Sequence, residues 1–350
     1  MRELITGIQQ IGIGVTDANE AKTLYKDLFG MNVLIFEDKA DACLMTKYTG
    51  SKVHSRHAIL SMNLSGGGGF EIWQFTSRTP QEQDGHLFGD LGIFATKIKS
   101  KNVKSAHEHF STFKDIVVSE LMDTADDKLH FWVTDMYGNH FNIVDGDEWF
   151  KSGQGICGGV VGAVIGVSNL EESLNFYKNV LGIDDVVYSG SAPAIDLPLK
   201  EQHGQKFKRV LLKKQVGNKG AFSKLLGSVQ IELVEALDFE PKKIYKDRFW
   251  GDCGFIHLCF DVLNMDLLKQ KSADAGYHFT VDSAESFSMG TSAGRFCYME
   301  DKDGTLIELV ETHKVPILKK LNLSLNLQTR KKDGPLPNWM IGMLAFNKIK

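Results

Sequence analysis

The sequence has few features that would place it in a membrane or an oxidising compartment. No run approaches the roughly 18 apolar residues of a transmembrane helix, and the N-terminal MRELIT lacks a signal-peptide core. The five cysteines are odd in number and include no CxxC pair. A net charge of −4 offers no basic surface to nucleic acid or to an anionic membrane. We therefore expect a cytoplasmic monomer or homodimer whose partner is a small molecule.

Motifs for phosphate binding and covalent catalysis are also missing. The glycine-rich stretch 65–69 precedes strand-like sequence and lacks the Gly-Lys-Ser/Thr of a P-loop. It predicts a flexible hairpin loop. No serine–histidine–aspartate order or cysteine–histidine pair stands out for nucleophilic catalysis.

What the 350-residue chain does contain is a repeated unit. Residues 10–31 read QIGIGVTDANEAKTLYKDLFGM, and residues 162–183 read GAVIGVSNLEESLNFYKNVLGI. Each has an alternating strand, a helix cap (Asp17 or Asn169), an amphipathic helix, and a glycine thirteen residues after the cap. Two weaker copies follow Asp90 and His257. The repeats predict four modules, each a βαβββ unit.

The modules predict an α+β protein. They span residues 4–76, 86–147, 159–237 and 250–312. A βαβββ module exposes one sheet face that it cannot bury alone, so the modules should pair. We predict an N-terminal domain, 1–150, and a C-terminal domain, 158–312. A basic extension with a short helix, 313–350, should dock on the body.

Two polar side chains occupy strands that are otherwise apolar. His257 lies in the alternating run 255–262, and Glu308 lies between Ile307 and Leu309. Burying either group alone is costly, and a shared metal ion is one arrangement that satisfies both. A plain histidine–glutamate hydrogen bond, or a Glu308 that faces solvent, are the alternatives.

The repeated LYKDLFGM and NFYKNVLGI, with the closing DKDGTLIELV, resemble the vicinal oxygen chelate superfamily. That group includes glyoxalase I, methylmalonyl-CoA epimerase, bleomycin-resistance proteins and extradiol dioxygenases. The resemblance covers about residues 4–312 and implies two glyoxalase-like half-barrel domains. It does not fix the reaction, because one architecture hosts many chemistries.

The resemblance also implies where metal ligands would lie. One position is seven residues before each helix cap, and the other is on the last strand of each module. The first-strand positions are Gln10, Asp90, Gly162 and His257, where Asp90 is aligned by its Leu-Gly-Ile sequence. The last-strand positions are Glu71, Asn142, Glu232 and Glu308.

Two pairings of the modules remain open. If neighbours pair, the C-terminal half offers Glu232, His257 and Glu308. If the first module pairs with the fourth, Gln10 and Glu71 join His257 and Glu308, a set that matches some glyoxalase I enzymes. The remaining positions would then form a degenerate partner site.

Such donors suit one divalent ion, namely Zn, Ni, Mn, Fe, Co or Mg. The implied function is a metal-dependent lyase or isomerase of glyoxalase I or epimerase type, acting on a small oxygenated or thioester substrate through an enediolate. Glu308 is the expected base, with Glu71 or Glu232 opposite.

Two other functions remain open. One is an extradiol dioxygenase. The resemblance implies that such an enzyme would use two histidines and one glutamate as metal ligands, whereas in this sequence Gly162 occupies one of the histidine positions. The other is a non-catalytic small-molecule binding or resistance protein. Glutathione recognition is also in doubt, because Asp27 stands where the resemblance leads one to expect an arginine.

Overall fold

The computed structural model describes residues 4–151, 155–284, 287–289, 292–318, 323–330 and 333–349. These residues form four consecutive modules and a C-terminal segment. The elements of the first module are β1 (Ile5–Gly14), α1 (Ala18–Phe29), β2 (Val33–Asp41), β3 (Ser55–Met62) and β4 (Gly69–Phe75). Those of the second are β5 (Gly92–Ser100), α2 (Val103–Phe110), β6 (Val117–Val118), β7 (Met122–Asp123), β8 (Leu129–Thr134) and β9 (His140–Asp145).

The second half repeats this order with two additions. The third module has β10 (Cys157–Gly166), α3 (Leu170–Asn175), β11 (Asp185–Pro193), β12 (Lys206–Lys214), α4 (Ser223–Leu226) and β13 (Val229–Ala236). The fourth has β14 (Gly254–Val262), α5 (Met265–Asp274), β15 (Val281–Asp282), β16 (Phe287–Met289), β17 (Ser292–Glu300), β18 (Leu306–Leu318) and β19 (Leu323–Asn326). A short helix, α6 (Asn338–Gly342), follows. No helix in the described part of the chain is long and apolar enough to span a bilayer.

The helix caps lie where the repeats predict them. The Asp17 carboxylate accepts hydrogen bonds from the backbone N–H groups of Asn19 and Glu20, and Asn169 caps α3 in the same way. Gly30 ends α1 in the left-handed conformation, with φ of 66°. Local sequence therefore determines the limits of these elements.

The strands form two curled mixed sheets, which confirms the α+β fold. The first has the order β15-β17-β18-β14-β1-β4-β3-β2, with β16 and β19 beside β17 and β18. The second has the order β11-β12-β13-β10-β5-β9-β8-β6, with β7 beside β8. In each sheet, two modules meet through their first strands, which pair antiparallel: β1 with β14, and β5 with β10.

This topology decides between the two pairings that the sequence left open. The first module shares a sheet with the fourth, and the second with the third, so the predicted boundary between 1–150 and 158–312 does not separate the sheets. Backbone hydrogen bonding between first strands is available to any two modules. The choice is made by the side chains that each pairing brings together.

Neighbouring modules are instead connected through their helices. The Tyr25 hydroxyl, on α1, donates to Asp135 in the β8–β9 turn at 2.7 Å. The Tyr177 hydroxyl, in the helical turn after α3, donates to Asp301 in the β17–β18 turn at 3.0 Å. The tyrosine of each strong repeat therefore binds the closing turn of the next module.

The two sheets also touch at the glycine-rich loop between β3 and β4. This hairpin loop is buried, and Gly68 exchanges backbone hydrogen bonds with Val160 at 2.7 and 2.9 Å. A Cβ atom on Gly67 would lie 2.6 Å from the backbone of Gly159. The glycines therefore permit close backbone contact between the sheets.

Candidate metal centre

Four neighbouring strands at the middle of the first sheet each contribute one polar side chain. These are Gln10 on β1, Glu71 on β4, His257 on β14 and Glu308 on β18. The register places Gly12 opposite both His257 and Glu71, so the four side chains share one face of the sheet. All four are buried, with exposed fractions of 0 to 6%.

The polar atoms of this cluster converge closely. His257 Nε2 lies 3.2 Å from Glu71 Oε2 and 3.0 Å from Glu308 Oε2. Gln10 Nε2 donates to the same two oxygens at 3.3 and 3.2 Å. One ligand atom from each of Glu71, His257 and Glu308 lies within 4.8 Å of the others. This spacing suits ligands around one cation.

The cluster is incompletely satisfied as it stands. Gln10 Oε1 has no hydrogen-bond partner among the described residues, and His257 Nε2 has only its ion-pair contacts with the two carboxylates. Unpartnered buried polar atoms are costly. Imidazole nitrogen and amide and carboxylate oxygen are ligands for divalent metals. The residues therefore fit a bound divalent ion.

The charges of the cluster lead to the same conclusion. Burial and the neighbouring Glu308 charge raise the pKa of Glu71. Burial opposes ionisation of Glu308 too, but His257 lowers the pKa of that carboxyl below its ordinary value. Burial alone would lower the pKa of His257, yet the two carboxylates raise it to about 9. The site thus attracts positive charge.

Tyr298 on β17 was not anticipated from the sequence. Its hydroxyl lies 3.3 Å from His257 Nδ1 and also interacts with Glu308. The contact orients the imidazole so that Nε2 faces Glu71 and Glu308. Tyr298 pairs with Glu308 across the β17–β18 hairpin, so counting back from the closing turn could have found it.

Glu232 does not belong to this cluster. It lies on β13 in the second sheet, where Lys97 Nζ approaches to 2.7 Å and Arg209 Nη2 to 2.7 Å. Arg209 also forms a bidentate pair with Asp196 at 2.6 and 2.8 Å. Burial alone would raise the pKa of Glu232, but Lys97 and Arg209 hold it well below its usual range. Two protein cations occupy the surroundings of this carboxylate.

The second sheet therefore carries the degenerate counterpart of the first site. The α2 cap is Asn102, so the residue seven positions earlier is Ala95, not Asp90. Asp90 instead accepts backbone hydrogen bonds from Leu87 and Lys242 at 2.9 and 2.8 Å, which fasten a loop. The side chains of Ala95 and Gly162 offer no atom that could bind a metal. Asn142 Nδ2 lies 2.6 Å from His130 Nδ1.

A cleft of about 110 Å³ extends from the cluster. Gln10, Glu71 and Glu308 lie on its wall, so the two carboxylates are accessible to a bound molecule. The arrangement can therefore hold a cation and present carboxylates to a small substrate.

Comparison with known proteins identifies the class. Residues 163–313 match the model of the Glyoxalase/Bleomycin resistance protein/Dioxygenase superfamily. A mutant of glyoxalase I from Zea mays is 12% identical, with a TM-score of 0.57 over 87% of this chain and 93% of that chain. A putative dioxygenase from Bacillus subtilis subsp. subtilis str. 168 is 13% identical, with a TM-score of 0.55 over 89% and 86%. No curated protein matches the sequence.

Residues 163–313, which contribute strands to both sheets, thus match the model of this superfamily, and the chain as a whole has the vicinal oxygen chelate fold. At 12 to 13% identity, the solved structures establish this architecture alone.

Proposed function

We propose that this protein is a divalent-metal-dependent lyase or isomerase that transfers a proton at a carbon next to a carbonyl group. The observation that carries the proposal is the buried convergence of Gln10, Glu71, His257 and Glu308, in which Gln10 Oε1 lacks a hydrogen-bond partner among the described residues. The substrate is a small oxygenated molecule or thioester.

Glu71, His257 and Glu308 would hold the ion, with Gln10 Oε1 available as a fourth donor, and this set suits Mg, Mn, Fe, Co, Ni or Zn. When bound, the ion supplies Lewis-acid polarisation of the substrate carbonyl. Tyr298 fixes the orientation of the imidazole through Nδ1. Gln10 holds the two carboxylates through its amide N–H groups.

Glu308 and Glu71 are the proposed acid–base pair. Both carboxylates border the cleft, and both contact Gln10 Nε2. Glu308 would accept the proton from the carbon next to the carbonyl. A proton is then returned to the neighbouring carbon in an isomerisation, or accompanies the leaving group in a lyase reaction.

The test combines metal analysis with turnover of Glu308→Gln. The variant keeps an oxygen ligand but loses the base, so metal content should fall modestly while proton exchange on a panel of 2-hydroxy ketones and thioesters, followed by NMR in D₂O, is abolished. Glu240→Gln is the control, since Glu240 is an exposed carboxylate outside the cluster and the cleft. It should leave exchange unchanged. An unaltered rate in Glu308→Gln would reject Glu308 as the base.

The apolar cleft also supports a second candidate function, a non-catalytic small-molecule binding protein. Failure of the reconstituted protein to bind Mg, Mn, Fe, Co, Ni or Zn would favour it. A ring-cleaving dioxygenase would require bound iron and oxygen uptake, and the single imidazole of this cluster departs from that enzyme type.

A further inference from the structure

The cleft beside the metal centre is built almost entirely from hydrocarbon. Beyond Gln10, Glu71 and Glu308, its wall is formed mainly by aliphatic and aromatic side chains from several elements. Those most deeply buried include Ile35, Leu60, Leu225, Leu226 and Leu344. Such a surface favours an apolar occupant over a charged one.

The far wall consists of parts that a bare βαβββ module lacks. Leu225 and Leu226 come from α4, which the third module contributes from the other sheet, and Leu344 comes from the segment after α6. Backbone hydrogen bonds hold this C-terminal segment in place. Leu336 N–H donates to Ala221 O at 2.9 Å, and Ile349 N–H donates to Asn32 O at 2.8 Å. Among the described residues, these additions enclose the cleft beside the first sheet.

Charge in the cleft is sparse and one-sided. Lys314 is the only cation among the described lining residues, and Glu71 and Glu308 are the anions. Gln9 and Thr312 are already hydrogen-bonded to each other at 3.0 Å. A glutathione conjugate carries two carboxylates and an ammonium group, for which this wall offers no matching set of partners.

We propose that the substrate is amphipathic, with neighbouring oxygens at one end and an uncharged chain or ring of several carbons at the other. The oxygens face Gln10, Glu71 and Glu308, and the apolar body lies against β2, β3, α4 and the C-terminal segment. This inference rests on the proposed function for the polar end only. The apolar end follows from the wall itself.

The test measures binding of straight-chain alkyl hydroxamates with four to eight carbons, by calorimetry, to the full-length protein with and without Zn²⁺. Hydroxamates present two neighbouring oxygens and a variable apolar chain. Affinity should rise by about three- to fourfold per methylene, or roughly 100-fold over the series. An affinity independent of chain length would overturn the inference. Saturable binding of glutathione would also overturn it.

Ala293→Phe, on β17, probes the cleft directly, because Ala293 lines it and is only partly exposed. The larger ring should weaken binding of the eight-carbon ligand at least tenfold, with little effect on the four-carbon ligand. Ala192→Phe on exposed edge strand β11 of the other sheet is the control. Equal affinities of wild type and Ala293→Phe for every ligand would contradict the proposed position.

The metal arm separates this inference from the proposed function. Dependence on chain length without any effect of Zn²⁺ would retain the apolar pocket and reject the metal centre. An effect of Zn²⁺ on affinity without dependence on chain length would retain the metal centre and reject the apolar pocket.

Discussion

Replacing Gly12 by alanine is expected to push the His257 imidazole out of the candidate metal centre. A Cβ atom on Gly12 would lie 2.4 Å from His257 Cε1 and 2.7 Å from both ring nitrogens. Strand β1 is paired with β14 on one edge and β4 on the other, so its backbone cannot readily retreat. The ring must therefore move instead.

The size of the displacement follows from contact distances. Non-bonded carbons approach to about 3.5 Å, so the ring has to shift by about 1 Å. Metal sites tolerate deviations of only about 0.2 Å from ideal ligand distances. Changes outside the ligand set commonly cost about 10–100-fold in metal affinity, and we expect a loss at least in this range. Overpacking should also lower the free energy of unfolding by about 1–3 kcal/mol.

Competition with a chelating dye measures the Zn²⁺ affinity, and urea unfolding measures stability. Gly342→Ala is the control, because Gly342 has helical φ and ψ and the nearest neighbour of a new Cβ is 3.7 Å away. It should leave Zn²⁺ affinity unchanged. If Gly12→Ala bound Zn²⁺ as tightly as the wild type, His257 would not be a ligand held in place by this packing.

Three further predictions concern residues around the two sites. Tyr298→Phe removes the hydroxyl at His257 Nδ1 and should weaken Zn²⁺ binding about tenfold in the dye assay, while urea stability changes little; unchanged affinity would argue against an orienting role. Lys97→Met leaves the buried Glu232 carboxylate paired with Arg209 alone, so the free energy of unfolding should fall by about 3 kcal/mol while Zn²⁺ affinity stays unchanged. Equal urea midpoints for the wild type and the variant would contradict this. Burial raises the pKa of Asp261 to about 6, so the folded state binds a proton at this carboxyl more tightly than the unfolded state does. The resulting gain in the free energy of unfolding is complete below the unfolded pKa of about 3.9 and is lost as pH rises through 6. Asp261→Asn should remove that loss, which amounts to about 2 kcal/mol between pH 4 and 7, in urea unfolding at a series of pH values; parallel wild-type and variant profiles would refute the shift.

The candidate site could be predicted in part because the family resemblance places its side chains by counting along each module. Gln10 and His257 each lie seven residues before a helix cap, and Glu308 lies on an apolar strand after a clear turn. The same rule failed for the second module, where the α2 cap is Asn102 and Asp90 was aligned by a short apolar sequence instead. A three-residue resemblance was too short to fix the register.

Glu232 and Gly12 show what the local pattern could not reveal. Glu232 has the same strand position as Glu308, yet Lys97 and Arg209 surround it because of the strands and loops that pack nearby. Gly12 matters only because His257 lies opposite it on a strand about 245 residues later in the chain. Neither relationship can be read from spacing along one module.

The sequence by itself determined the four modules, the ends of their capped helices and the strands that carry polar side chains. These depend on contacts within about one helical turn or one hairpin. The tertiary structure decided that the first module joins the fourth, and therefore that Gln10 and Glu71 meet His257 and Glu308. Backbone pairing of first strands is nearly independent of sequence, so the partner is selected by the summed packing of side chains across the whole interface.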